Sequence, residues 1–179
     1  MSHLSRVFQL LRNRQAIRGF EDRPVPLASL ARILDCGRYA PSAKEDQPWT
    51  YVVVQDPLAR VRLAAEAFHS PLVRSAPVLI IACARIHSHV SGHGRPSHPI
   101  DVAAGVQSMA LAAADLGLAA VWITGYREPG IRKALGIPDD VPIVAMLTIG
   151  YPDGFAALPE RRPEAEVVAW EHWPKESNW

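Results

Sequence analysis

The chain has 179 residues, 49% of them hydrophobic, with 19 Lys+Arg set against 18 Asp+Glu. That length and apolar share suffice to bury a real core in one compact protomer, while a formal net charge of +1 supplies no broad basic field and argues against wholesale binding to nucleic acid or an anionic membrane. The longest apolar runs are about eight residues, far short of the roughly 20 that cross a bilayer, so no membrane span is expected.

The chain opens with "SHLSRVFQLLRN", where Leu4, Val7, Phe8 and Leu11 recur at helical spacing. Residues 1–20 are Arg-bearing, acid-free and amphipathic, but they lack the apolar core and cleavage pattern of a secretory signal, and no cleaved targeting segment is expected. "RNRQAIRGF" then places Arg12, Arg14 and Arg18 within seven positions, with no acid before Glu21. Forked guanidinium donors match phosphate bidentately; a solvated arginine face is the alternative reading of the same stretch.

"PLASLARILDCGRYAP" predicts a second helix through Leu27, Leu30, Ile33 and Leu34, stopped by Gly37 and Pro41. "WTYVVVQD" reads as a strand, "PLARVRLAAEAF" as a helix entered through Pro57, and "PVLIIACA" as an interior strand. The two cysteines, Cys36 and Cys83, show no CxxC spacing, and Cys83 reads as a buried reduced thiol. Residues 85–99 read as a polar loop holding His87, His89, His93 and His98. Imidazoles this dense can bind zinc or nickel, but the intervening Gly, Ser and Pro, without carboxylate or thiolate ligands, favour a loop, and no metal site is expected.

"IDVAAGVQSMALAAADLGL" predicts a helix buried on most faces, because its polar surface is confined to Asp101, Gln107, Ser108 and Asp115. A second copy of the chain covering it would account for that composition, and a homodimer is expected. "AAVWI" and "IVAMLTIGY" supply two further strands around a short helix in "REPGIRKALGI". From Pro152 the chain carries Pro152, Pro159, Pro163 and Pro174 with Trp170, Trp173 and Trp179, a composition suited to an extended arm lying on a surface of the partner copy.

The blocks "RNRQAIRGFEDRPVP", "APSAKEDQPWTYVVV", "GLAAVWITGYREPGIRKALGIP", "VAMLTIGYP" and "LPERRPEAEVVAWEHW", in that order, closely resemble the nitroreductase family of FMN-dependent oxidoreductases, across nearly the whole chain. The resemblance implies an α+β, three-layer fold with a central mixed or antiparallel sheet flanked by helices, in an intertwined homodimer with two FMN molecules at its interface. Residues 1–179 would then form a single FMN-binding domain, with 152–179 as its arm.

By the same resemblance, Arg14, Gln15 and Ala16 bind the flavin phosphate and ribityl chain, and Arg18 reaches the pyrimidine edge of the ring. Arg161 is a second phosphate contact with Arg162 as its neighbour. Pro41, Ser42, Ala43 and Gln47 reach the flavin of the other subunit, and Ile123, Thr124 and Gly125 form the turn beside the ring, with a backbone N–H facing N5. The chain departs from the family pattern at Ala16, commonly Ser, and at Lys44 and Glu45, often small or amide; Glu45 is left off the site because a carboxylate repels phosphate. His69 stands near a position that hydrogen-bonds the pyrimidine in some relatives, and an exposed helix-end residue is the alternative reading.

The implied activity is NAD(P)H-dependent reduction of nitroaromatic or quinone-like compounds by ping-pong hydride transfer through flavin N5, with NADH or NADPH as donor and no dedicated catalytic side chain. A cytoplasmic location is expected. No GxGxxG turn between strand and helix is present, so the nicotinamide would bind without a dinucleotide domain. Other flavin chemistry, such as dehydrogenation, dehalogenation or flavin breakdown, and a non-enzymatic FMN carrier are the alternatives.

Overall fold

The structure, a computed structural model, describes residues 5–13, 17–85, 90–92, 94–157 and 160–173; of Arg12 and Asn13 only the backbone is described. Strands β1 (Trp49–Val54), β2 (Val78–Ala84), β3 (Ala119–Ile123) and β4 (Ile143–Gly150) form one sheet in the order β1-β2-β4-β3. Every pairing is antiparallel. Of the two sheet types the resemblance allowed, the antiparallel one is found.

All seven residues of β2 are buried. Alternation explains why one apolar run serves two layers: Leu79, Ile81 and Cys83 point into one core with Leu63, Ala64, Val73 and Ile131, while Val78, Ile80, Ala82 and Ala84 point into another with Leu30, Ile33, Val102, Val106 and Met109. Helices α3 (Pro57–Glu66), α4 (Pro71–Ser75) and α6 (Glu128–Leu135) supply the first group. Helices α2 (Leu27–Arg38) and α5 (His98–Asp115) supply the second, and α1 (Arg6–Asn13) packs on α5. The result is helices, sheet and helices in three layers.

Local chemistry sets the element ends. Asp56 caps α3 by accepting from the Ala59 N–H at 2.7 Å, with Pro57 at the first helical position. Gly136, at φ 67°, ends α6 in the left-handed conformation that a side chain disfavours. Four features depart from the expectations. Helix α5 starts two residues earlier, at His98, inside the stretch read as loop, because Pro99 suits a first helical turn. Helix α4 and a 3-10 turn at Ala43–Glu45 were not anticipated, since elements of five and three residues are too short to show a period. Asp101, read as polar surface, is buried at 6% exposure. After Pro163 a four-residue helix, α7 (Glu164–Val167), interrupts the expected extended arm, and residues 160–173 are all exposed on the isolated protomer.

Candidate functional site

Residues 17–21 run antiparallel to residues 151–155. Ile17 bridges Phe155, Phe20 bridges Pro152, the Arg18 N–H donates to Gly154 O at 3.4 Å, and Asp153 N–H donates to Gly19 O at 2.9 Å. Buried Ile17 and Phe20 fasten this ribbon to the core, which leaves Arg18 exposed between them. Its guanidinium has no hydrogen-bond or ion-pair partner among the described residues, and Arg161 and Arg162, which follow the paired stretch in sequence, are also exposed. Opening block and tail, 130 residues apart in sequence, therefore share one ribbon. Arg14, Gln15 and Ala16 lie outside the described residues.

A second corner joins the end of α3 to the turn after β3. Arg127 N–H donates to Glu66 O at 2.8 Å, and the Arg127 guanidinium lies 5.0 Å from the centre of the Phe68 ring. Phe68 and His69 hold the left-handed conformation at φ 53° and 58°, a costly one for non-glycine residues. Both are exposed, as are Thr124 and Gly125, while Ile123 is half-buried. A Cβ at Gly125 would rest in ordinary contact with Phe68 at 3.8 Å. Its own fold does not require glycine there, so what the missing side chain leaves is open backbone that a flat ring can approach. Tyr126 anchors the turn from beneath, its hydroxyl donating to Ile143 O at 3.1 Å, and burial pushes that phenol up to about 12.

The third piece is the segment Pro41–Gln47. Lys44, Glu45 and Gln47 all have positive φ, at 51°, 57° and 46°. Several hydrogen bonds hold this strained path: Gln47 N–H donates to Ser42 Oγ at 2.9 Å, Ala43 N–H donates to Asp101 Oδ1 at 3.1 Å, and Arg85 donates to the carbonyls of Asp46 and Gln47 at 2.8 and 3.2 Å. Pro41, Ser42 and Gln47, with Arg38, Tyr39 and Glu45, line a cleft of about 250 Å³. Among the described residues no hydrogen bond or ring contact links this segment to the other two pieces. Among the described residues, the candidate site residues of one protomer thus fall into groups that share no hydrogen bond or ring contact.

Sequence reasoning missed Asp101, Arg85, Phe68 and Arg127. Asp101 had a visible signal, an acid in the first turn of an otherwise Ala-rich helix, but an acid there ordinarily reads as a solvated partner of the helix dipole. Of the clustered histidines, His98 is the first residue of α5 and half-buried, and His87, His89 and His93 lie outside the described residues.

The model described as "Nitroreductase family" matches residues 11–151. A Methanothermobacter thermautotrophicus protein provisionally named NADH dehydrogenase/NAD(P)H nitroreductase is 32% identical over 151 residues, 82% of this chain and 77% of that protein. The Iodotyrosine deiodinase of Haliscomenobacter hydrossis is 27% identical over 94% of this chain and 90% of its own length. Among solved structures, a nitroreductase family protein from Clostridium difficile superposes with a TM-score of 0.84 at 27% identity, covering 95% of this chain and all of that one.

Proposed function

Because the chain belongs to the nitroreductase family and is an NAD(P)H oxidoreductase of that family, we propose that it holds FMN between two copies of itself and uses NADH or NADPH to reduce nitroaromatic or quinone-like compounds. The observation that carries this reading is the pairing of residues 17–21 with 151–155, which sets the Arg18 guanidinium, unpartnered among the described residues, on a ribbon whose second strand is followed in sequence by Arg161 and Arg162.

The residues present fit such a cofactor. Phosphate needs fixed positive donors, and Arg14, Arg161 and Arg162 would supply them, with Gln15 and Ala16 along the ribityl chain. Arg18 would face the pyrimidine edge, where a cation favours added electron density. The exposed backbone at Thr124 and Gly125 would donate toward ring N5, with Ile123 beside it, and Gly125 has the bareness that such an approach needs. Pro41, Ser42, Ala43 and Gln47 are tied to α5 and Arg85 rather than to the other site residues, which suits a segment that reaches across to the flavin held mainly by the second copy.

When bound, FMN supplies the two-electron chemistry, accepting hydride from the nicotinamide and passing it to the second substrate. The protein's part is to grip the phosphate, orient the ring and leave one face open to flat partners. No side chain is assigned as acid or base. Dimerisation is supported by a groove of about 680 Å³ in which Val7, Leu10, Leu111 and Leu116 form an apolar floor beside Arg6, Arg32, Asp35 and Asp115, and by Trp170 and Trp173, 82% and 71% exposed on the isolated protomer.

Dehalogenation by the same bound flavin is the second reading, supported by the near full-length similarity to a deiodinase. The deciding experiment purifies the protein, records its visible spectrum, bleaches it anaerobically with NADH and NADPH in turn, and reoxidises it with a quinone, a nitroarene and iodotyrosine. A yellow protein bleached by a nicotinamide and recoloured fastest by quinone or nitroarene is expected; fastest recolouring by iodotyrosine would favour dehalogenation. Colourless protein that takes up no added FMN would overturn both. Arg18→Ala should weaken FMN binding by about tenfold or more, as expected for loss of a charge-assisted contact.

A further inference from the structure

Asp101 sits in the first turn of α5, 6% exposed. One carboxylate oxygen accepts the Ala43 N–H at 3.1 Å; the other, Oδ2, is buried with no partner among the described residues, as is the Ser97 hydroxyl one turn earlier. An acid buried with half its acceptor capacity unused weakens the isolated fold rather than strengthening it. Its one side-chain bond, however, falls on the segment with three left-handed non-glycine residues, Lys44, Glu45 and Gln47. Strain of that kind persists only where the surroundings over-determine it. The segment's other ties come from Ser42 within the segment itself and from Arg85 at its far end, so Asp101 is the bond that joins its beginning to the buried central helix.

We infer that Asp101 is a positioning residue for the cofactor, its Oδ1 holding the Ala43 N–H so that Pro41–Gln47 is presented in the one conformation that meets the flavin. The inference rests on the flavin reading above. The Ala43 N–H donates to Asp101 and the Gln47 N–H to Ser42 Oγ, so both backbone donors are withdrawn from the ligand and contact falls to the remaining atoms of Pro41, Ser42, Ala43 and Gln47. An amide oxygen can accept the same bond, so the negative charge is not what the position requires.

Two readouts test this on the full chain: FMN affinity, by titrating FMN into protein stripped of it, and amide hydrogen exchange over residues 41–47 in the FMN-free protein. Asp101→Ala should weaken FMN binding about tenfold, the value of one buried hydrogen bond to a charged group, and should speed exchange across 41–47. Asp101→Asn should stay within about threefold of the parent in affinity, since it keeps an acceptor of ordinary strength. If Asp101→Ala does not fold, Ala43→Pro removes the same bond from the donor side. Ser42, at φ −139° and ψ 155°, tolerates a following proline, and the same loss and the same faster exchange are expected. Unchanged affinity in the variant that folds, unchanged exchange, or an Asn variant as weak as the Ala variant would overturn the inference. A parent protein that refuses FMN would instead overturn the flavin reading, while the exchange experiment would still report on the Asp101 bond.

Discussion

Gly105 and Gly130 look alike in the sequence, each a glycine inside a helix, yet their surroundings set opposite tolerances. A Cβ at Gly105 would collide with the Tyr51 hydroxyl and come within 3.1 Å of the Gly37 carbonyl. Those neighbours belong to a strand and to another helix, so neither yields without moving α5 from its seat. At Gly130 the obstructing atoms are Cγ and the carboxylate of Glu66, the outer part of a flexible side chain that can turn toward water. Gly105→Ala is therefore expected to destabilise by about 1–3 kcal/mol, the usual result of overpacking, and Gly130→Ala by less than about 0.5 kcal/mol, since alanine also restrains the unfolded chain. Urea unfolding midpoints of both variants check the pair. Equal losses would mean that close approach at Gly105 does not set the packing of α5 against β1 and α2.

At the scale of elements, the Tyr51 phenol marks where three of them meet: it rises from β1, lies under Gly105 of α5 and donates to Gly37 O of α2 at 3.4 Å. Burial raises it from 10.0 to about 12, as it does Tyr126, and raises Cys83 from 9.0 to about 11. All three are neutral acids held protonated by the fold, so above their ordinary values the unfolded chain releases protons first. The contribution of these three groups should be constant below pH 9 and fall as pH rises from 9 through about 12; both rings keep partial exposure, so each contributes less than the full slope of about 1.4 kcal/mol per pH unit. Tyr51→Phe should flatten the upper part of that fall, measured as urea midpoints between pH 9 and 12, and an unchanged slope would count against burial as the cause. Elements of this size were legible in the sequence because apolar residues at 3.6 or 2 spacing report a buried face: α2, α3, α5 and all four strands follow from it. Helix α4 and the 3-10 turn were not, being shorter than a readable period. The assignment of Arg14, Arg18 and Arg161 to a flavin came from the order of blocks, but neither the pairing of 17–21 with 151–155 nor the burial of Asp101 was legible, since nothing in "HPIDVAAG" says that the Ala43 N–H, 58 residues back, lies opposite that carboxylate.

At the scale of the whole molecule, the proposed dimer is where the protomer's exposed apolar surface would find a partner. Among the described residues no hydrogen bond joins the Arg18-bearing ribbon to the Pro41–Gln47 segment, the α1–α2–α5 groove is lined by Val7, Leu10, Leu111 and Leu116 beside charged residues, and Val7, Phe8, Leu11, Trp170 and Trp173 face solvent. Water is a poor partner for so much apolar surface: burying one large side chain of this kind contributes about 2 kcal/mol. A second copy would cover groove and tail together and would bring one chain's Pro41–Gln47 toward the other's ribbon, so association and cofactor binding become one linked equilibrium. Replacing Trp170 and Trp173 together by alanine should therefore do two things at once. The sedimenting mass should drop from twice the 19.6 kDa chain mass toward that of one chain at micromolar concentration, and FMN occupancy should fall with it, while added FMN should push the variant back toward the dimer. Loss of the dimer with full FMN retention would mean that each protomer completes its own site, and retention of the dimer would mean that the tail binds elsewhere. Only a coupled loss, reversible by the cofactor, is what a site divided between two copies predicts.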